Sequence, residues 1–157
     1  MGLEYKSTEV FLKPDVRYNN KLAAKFINCL MRKGKKSTSE RVFYAAMDYI
    51  DKKVQDKEPI EILEGAINNV KPLVEVRSRR IGGATYQVPI EVPRKRQLSL
   101  AIRWILQAAK AKKGRPMYIK LGDELLDGHR RQGAAYTKRE NTHKMAEANK
   151  AFAHFTW

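Results

Sequence analysis

One cysteine and three histidines in 157 residues leave little material for several kinds of chemistry. A single thiol, Cys29, excludes an internal disulfide framework, fits a reducing compartment and reads as a small core residue. His129, His143 and His154 are scattered, and none stands at metal-ligand spacing from Cys29 or a second histidine. Glu61 and Glu64 share a helix face, but they read as solvated surface rather than as an acid/base pair. The GKKS stretch at 34–37 lacks the upstream glycine of a P-loop, and Gly82-Gly83 follows a strand without opening a helix. No apolar run approaches the length of a membrane span, and the first residues carry no apolar signal region. The chain therefore reads as soluble and intracellular, with no catalytic site, metal, cofactor or membrane contact expected.

Acidic residues are also scarce. There are 17 Asp+Glu against 32 Lys+Arg, a net charge of +15 and a pI near 10.0. Such an excess repels itself in the free protein and is relieved by a polyanionic partner. Apolar residues make up 43% of the chain, enough for a core, and the length fits one domain. No internal repeat, low-complexity tract or linker divides it.

Hydrophobic periodicity predicts a mainly α fold of about six helices. Residues 1–17 have no period and read as an extended arm ahead of a helical domain over 18–157. Ala23, Phe26, Ile27 and Leu30 line a first helix over 20–31, with Gly34 as its stop. Ser37 and Glu40 match a capping box for a second helix, whose apolar stripe is Phe43, Met47, Ile50 and Val54. Pro59 suits the first turn of a third helix, lined by Leu63, Ile67 and Val70 and ended by Pro72. A fourth carries Leu98, Ala101, Ile102, Ile105 and Ala109. Pro116 opens a fifth with Tyr118, Leu121 and Leu125 inward and Gly128 at its end. The sixth runs to about Lys150, with a second capping-box match at Thr137 and Glu140, although Ala134 and Ala135 allow an earlier start.

Between the third and fourth helices, residues 74–92 read as a β-hairpin turning at Gly82-Gly83. A lone hairpin is marginal, so this one must lean on the helices. Alternation places Val74 and Val76 on one face, and Tyr86, Val88, Ile90 and Val92 on one face of the second strand. A two-residue loop would set Val76 against Pro89 and mismatch those faces. An odd loop or bulge, with a glycine at positive φ and Val76 opposite Val88, is therefore expected.

Three basic clusters stand out. Arg32, Lys33, Lys35 and Lys36 lie in the turn between the first two helices. Arg77, Arg79 and Arg80 on the hairpin are followed by Arg94, Lys95 and Arg96 at its exit. Lys110, Lys112, Lys113 and Arg115 lie between the fourth and fifth helices. Arg96, Arg103 and Lys110 are spaced by seven, which keeps them on nearly one helix face and joins the second and third clusters into a strip. Arginine suits bidentate phosphate contact and base stacking. Tyr86 has two readings, a base-stacking platform or packing on the hairpin stem. A basic β-ribbon also suits a DNA-architectural protein, but such a ribbon needs an apolar wedge at its tip and Ile81 is the only candidate.

Four stretches carry a resemblance: GKKST at 34–38, VEVRSRRIGGATYQVP at 74–89, AIRW at 101–104 and HKMAEANKAFAHF at 143–155. Together they resemble the family of ribosomal protein seven of the small subunit, in its bacterial or organellar form, in one register from about Leu12 onward. The resemblance implies six helices with a protruding hairpin, direct binding of small-subunit ribosomal RNA and nucleation of the subunit head. It places the hairpin near the exit site for transfer RNA, and the C-terminal region near the messenger path and a platform protein. Carried over by motif, Lys35, Lys36, Arg77, Arg79, Arg80, Arg94, Arg96, Arg103, His143, Lys144 and Lys150 belong to the RNA-binding set. Lys95, Lys110, Lys112, Lys113 and Arg115 join it from the basic clusters, and Lys138 and Arg139 from the terminal helix. Arg79, Arg80, Ile81, Gly82, Gly83, Ala84 and Tyr86 form the tip nearest transfer and messenger RNA. The family usually opens with a basic arm, whereas here only Lys6 is basic before Lys13, so residues 1–10 are not assigned to the RNA site. A bacterial or organellar ribosome is the expected location, without self-association.

Overall fold

The computed structural model describes residues 7–156. In chain order it shows α1 (Lys21–Leu30), α2 (Lys36–Lys53), α3 (Pro59–Val70), β1 (Val74–Ile81), β2 (Ala84–Glu91), α4 (Arg94–Ala111), α5 (Met117–His129) and α6 (Gly133–Ala148). Short 3-10 turns precede α1 at Thr8–Phe11 and follow α6 at Lys150–Phe155. The chain is thus mainly helical, with one antiparallel hairpin between α3 and α4. One core draws on all six helices, through Phe26 and Ile27, Phe43 and Met47, Leu63 and Ile67, Ile102 and Ile105, Leu121 and Leu125, and Ala135.

The Asp15 side chain gathers the end of the arm onto the body. The Asp15 carboxylate accepts the N–H groups of Arg17, Tyr18 and Asn20 at 2.9–3.1 Å and the Tyr44 hydroxyl at 3.1 Å. Asn20 then caps α1, its Oδ1 accepting from Leu22 and Ala23, while its Nδ2 donates to Glu64 on α3 at 2.9 Å.

Helix ends depart from the expected signals. Gly34 does not stop α1, which ends at Leu30; with φ of 72° it shapes the turn beyond, beside Lys33 at 53°. Neither capping box forms: Ser37 and Thr137 lie inside their helices, and α2 and α6 have no side-chain cap. Ser37 is the second residue of α2 and Thr137 the fifth of α6, so neither stands at the cap position. The Thr137 hydroxyl accordingly donates back to the Gly133 carbonyl at 2.9 Å.

Four expected core positions also move outward, among them Val54, which follows α2 and only borders the core. Cys29 is exposed, because Ala23, Phe26, Ile27 and Leu30 take the inner face of α1 and Cys29 falls four residues after Lys25 on the outer one. Leu98 only borders the core, where Leu100 and Trp104 are buried. Tyr118 stands at the surface, edge-on to Tyr49 at 6.4 Å.

The hairpin takes the two-residue turn rather than the odd loop. Ile81 pairs with Ala84, Arg77 with Val88 and Val76 with Pro89. Gly82 and Gly83 have φ of 56° and 85°, the double positive pair that a tight turn of this hand requires. Counting back from that turn, Pro89 falls in a non-hydrogen-bonded pair, where its missing N–H leaves no gap in the ladder. The inner face then holds Glu75, Arg77 and Arg79 opposite Ile90, Val88 and Tyr86. Strict apolar alternation fails because the buried carboxylate of Glu75 is neutralised in place.

Candidate nucleic-acid interface

The residues at the hairpin base divide by their partners. Glu75 is almost completely buried. Arg96 of α4 donates to both of its oxygens, Nε to Oε1 at 2.7 Å and Nη2 to Oε2 at 2.9 Å. Arg77 adds a third contact at 3.3 Å. The hydrogen-bonded Arg96 guanidinium holds the Glu75 carboxyl below the usual carboxylate range. Arg96 therefore latches the hairpin to α4, and Arg77 supports the same carboxylate from within β1. Arg94 is exposed with no acidic partner among the described residues, and Lys95 reaches Glu9 at 3.1 Å.

Further along the hairpin, the C-terminal turn braces the stem. The Tyr86 ring lies 5.4 Å from Phe152 and 5.0 Å from Phe155, between centroids. Arg79 donates to the Phe155 carbonyl. Of the two readings of Tyr86, packing on the stem is the one the geometry fits. Arg80, on the other face, is exposed, as are Gly82, Gly83 and Ala84, whereas Ile81 is half-buried.

On α4, Arg103, Gln107 and Lys110 form the exposed stripe opposite Ala101, Ile105 and Ala109. The charges of Lys25 and Arg103 both act on the Cys29 thiol, whose pKa burial raises. Burial, aided by the nearby Arg32, pulls the Lys110 ammonium below its ordinary range. The turn before α2 thus meets the end of α4, so the first basic cluster joins the strip. That turn presents Lys35 and Lys36 at the start of a helix without a side-chain cap. Free N–H groups at such an end favour an anion.

Half of the third cluster is committed internally. Lys112 meets Glu124, whose side chain is fully buried, at 3.0 Å and Asp127 at 3.7 Å. Glu124 also accepts from the Ala135 N–H at 3.0 Å, fixing the start of α6. Arg115 meets Asp123 at 3.3 Å. Lys110 and Lys113 of this group are exposed without an acidic partner among the described residues. On α6, Lys138 donates to Gln107 and lies over Trp104, and Arg139 contacts Glu140 and the Lys71 carbonyl. His143 accepts the Leu73 N–H at 3.0 Å, and burial lowers its pKa, with Arg139 adding to the effect. Lys144 is exposed, and Lys150 sits 3.7 Å from Glu147.

Charge counting along the chain misses the two acids that organise this surface, Glu75 and Glu124. The first had a visible signal, a lone carboxylate inside an arginine-rich strand. The second had none at short range, because its partners lie 11 and 12 residues away. Among the described residues, no group of His, Cys, Asp and Glu is arranged to hold a metal. Among the same residues, no helix is long and apolar enough to cross a membrane.

Comparison with known proteins bears on the same residues. The family model described as ribosomal protein S7p/S5e matches residues 4–150. The small ribosomal subunit protein uS7 of Rhodopirellula baltica is 62% identical over 144 residues, covering 91% of this chain and 92% of that protein. Its counterparts in Thermosipho africanus and Desulfotalea psychrophila are 56% and 53% identical, each aligned over 92% of both chains.

Proposed function

We propose that this chain, which belongs to the ribosomal protein S7p/S5e family, binds small-subunit ribosomal RNA directly through the exposed face of α4 and the turn before α2. It is a structural protein of the small ribosomal subunit, of bacterial type, and not an enzyme. One observation carries the RNA reading: Arg32, Lys35, Arg103 and Lys110 share one surface, and none has a carboxylate partner among the described residues. The acids nearby are used to lock helices and hairpin together instead. On this reading the protein nucleates the subunit head. Its hairpin tip, around Arg80 and Gly82-Gly83, reaches toward exit-site transfer RNA. The braced C-terminal turn lies toward the messenger path and a platform protein. The bacterial relatives favour a cytoplasmic ribosome of a bacterium.

Affinity then comes mainly from phosphate neutralisation, and specificity from the shape of a folded junction. Filter binding of small-subunit ribosomal RNA across a salt series tests this. About 6–8 neutralised phosphates predict a log–log slope of roughly −5. A slope shallower than about −2, or equal affinity for duplex DNA, would overturn the assignment of this face.

A further inference from the structure

At the junction of the turn, α2, α4 and α5 lies an open hollow of about 260 Å³. Leu30, Met31, Val42 and Met117 make its floor, and Arg32, Lys35 and Lys110 stand on its rim. We propose that this hollow receives one unstacked base of the bound RNA, with the rim cations on its flanking phosphates. The inference rests on the RNA-binding reading above and adds a base-accepting site to it.

The chemistry of the hollow selects such a ligand. An apolar floor alone would suit many side chains. An apolar floor ringed by three cations, with no carboxylate to satisfy them, suits a flat apolar group that carries its own negative charge. A nucleotide is that group, since every base has a π-face and arrives attached to phosphates. Two thioethers on the floor offer polarisable contacts to an aromatic ring. Arg32 offers a planar guanidinium for stacking or bidentate phosphate contact. Burial lowers the Lys110 pKa and the charge of Arg32 adds to the effect, so an anion at the rim would be favoured beside both. The start of α2, which no side chain caps, follows directly from Lys35 on this rim. Ser39 is unavailable, since its hydroxyl donates to the Ile27 carbonyl at 2.6 Å. Thr38 is left as the hydroxyl at the lip that can read a base edge. The volume falls just below the ~300 Å³ at which pockets for drug-sized ligands begin, which limits the site to one base.

The test uses the full chain with ¹³C-labelled methionine methyls. Met31 and Met117 report on the hollow, while Met47 in the core and Met145 on α6 serve as internal controls. The probes are pentaadenylate and a fully abasic strand with the same phosphates. Pentaadenylate should shift the Met31 and Met117 methyls by ring current and leave the controls in place. The abasic strand should bind roughly tenfold more weakly and move neither reporter. Thr38→Trp, which fills the hollow without altering charge, should weaken ribosomal RNA binding by about the same factor. Identical methyl responses to both strands, or full RNA affinity in Thr38→Trp, would overturn the site while leaving RNA binding by the basic face intact. No binding of ribosomal RNA by the parent chain would instead remove the RNA reading and the site with it.

Discussion

Glu75→Gln should loosen the hairpin from α4 while leaving both elements formed. The carboxylate receives two hydrogen bonds from Arg96 and one contact from Arg77, all within 3.3 Å. Hydrogen bonds to charged groups contribute about 1.5–3 kcal/mol when enclosed, and solvent-exposed ion pairs about 0–1 kcal/mol. Here the acid's side chain is 11% exposed but its partners are 40% and 46% exposed. Much of their attraction is therefore screened, and an intermediate loss of ~1–2 kcal/mol is expected. For a chain of this size that lowers Tm by roughly 3–6 °C. Urea and thermal melts followed by circular dichroism measure it. The pH dependence identifies the cause. A carboxylate whose folded pKa lies below its unfolded value stabilises fully above that unfolded value, near 4.5, and loses the contribution as pH falls through the folded pKa. The gap between parent and variant should hold from neutral pH down to about 5 and narrow only in more acid solution. Equal stability at pH 7, or a gap unchanged by acid, would refute the latch.

Three further outcomes follow from the same contacts. Lys112→Ala removes the cation beside the buried Glu124 and should cost ~1–3 kcal/mol in urea melts, whereas Arg103→Ala should stay within about ±0.5 kcal/mol and instead weaken filter binding of ribosomal RNA. A Cβ at Gly122 would stand 2.5 Å from the Tyr49 ring, so Gly122→Ala should lower Tm despite alanine's helix advantage of ~1 kcal/mol; a rise would show a loose α2–α5 contact. Phe155→Ala should free the hairpin stem, visible as faster amide exchange at Tyr86 and Val88, with helical content unchanged.

Helices and their order were legible because each buries a periodic stripe. Phe26 and Ile27, Phe43 and Met47, and Leu121 and Leu125 all fall where spacing puts them. Boundaries were less legible. A capping box needs its hydroxyl at the first free N–H, and nothing local marks Ser37 or Thr137 as lying inside a helix. The hairpin register went astray for a physical reason. Pairing by apolar alternation assumes that a buried strand face is apolar, but β1 buries Glu75 and lays arginine stems beside Tyr86 and Val88. The main partner that stabilises that arrangement, Arg96, lies on a different element. The basic character of the surface was legible from composition, yet which cations remain available was not. Availability depends on acids brought close by folding, such as Glu124 beside Lys112.

That division of cations has a structural consequence. Spacing along α4 suggests one strip through Arg96, Arg103 and Lys110, with equal roles. In the fold, Arg103 and Lys110 face outward without acidic partners among the described residues, while Arg96 is turned into the hairpin latch. One helix therefore carries both the exposed cations and the anchor of the hairpin. A phosphate placed near Arg96 would compete with Glu75 for the same guanidinium, and Arg77 shares that carboxylate. If RNA binds along α4 as proposed, it would act on the hairpin's base through a single exchange of ion-pair partners. The far end of the stem is held separately, by Phe152 and Phe155 against Tyr86. Weakening the base alone should let the hairpin pivot about that aromatic brace, not swing free. Tip position is then set jointly by a charged contact that RNA can contest and an apolar one that it cannot.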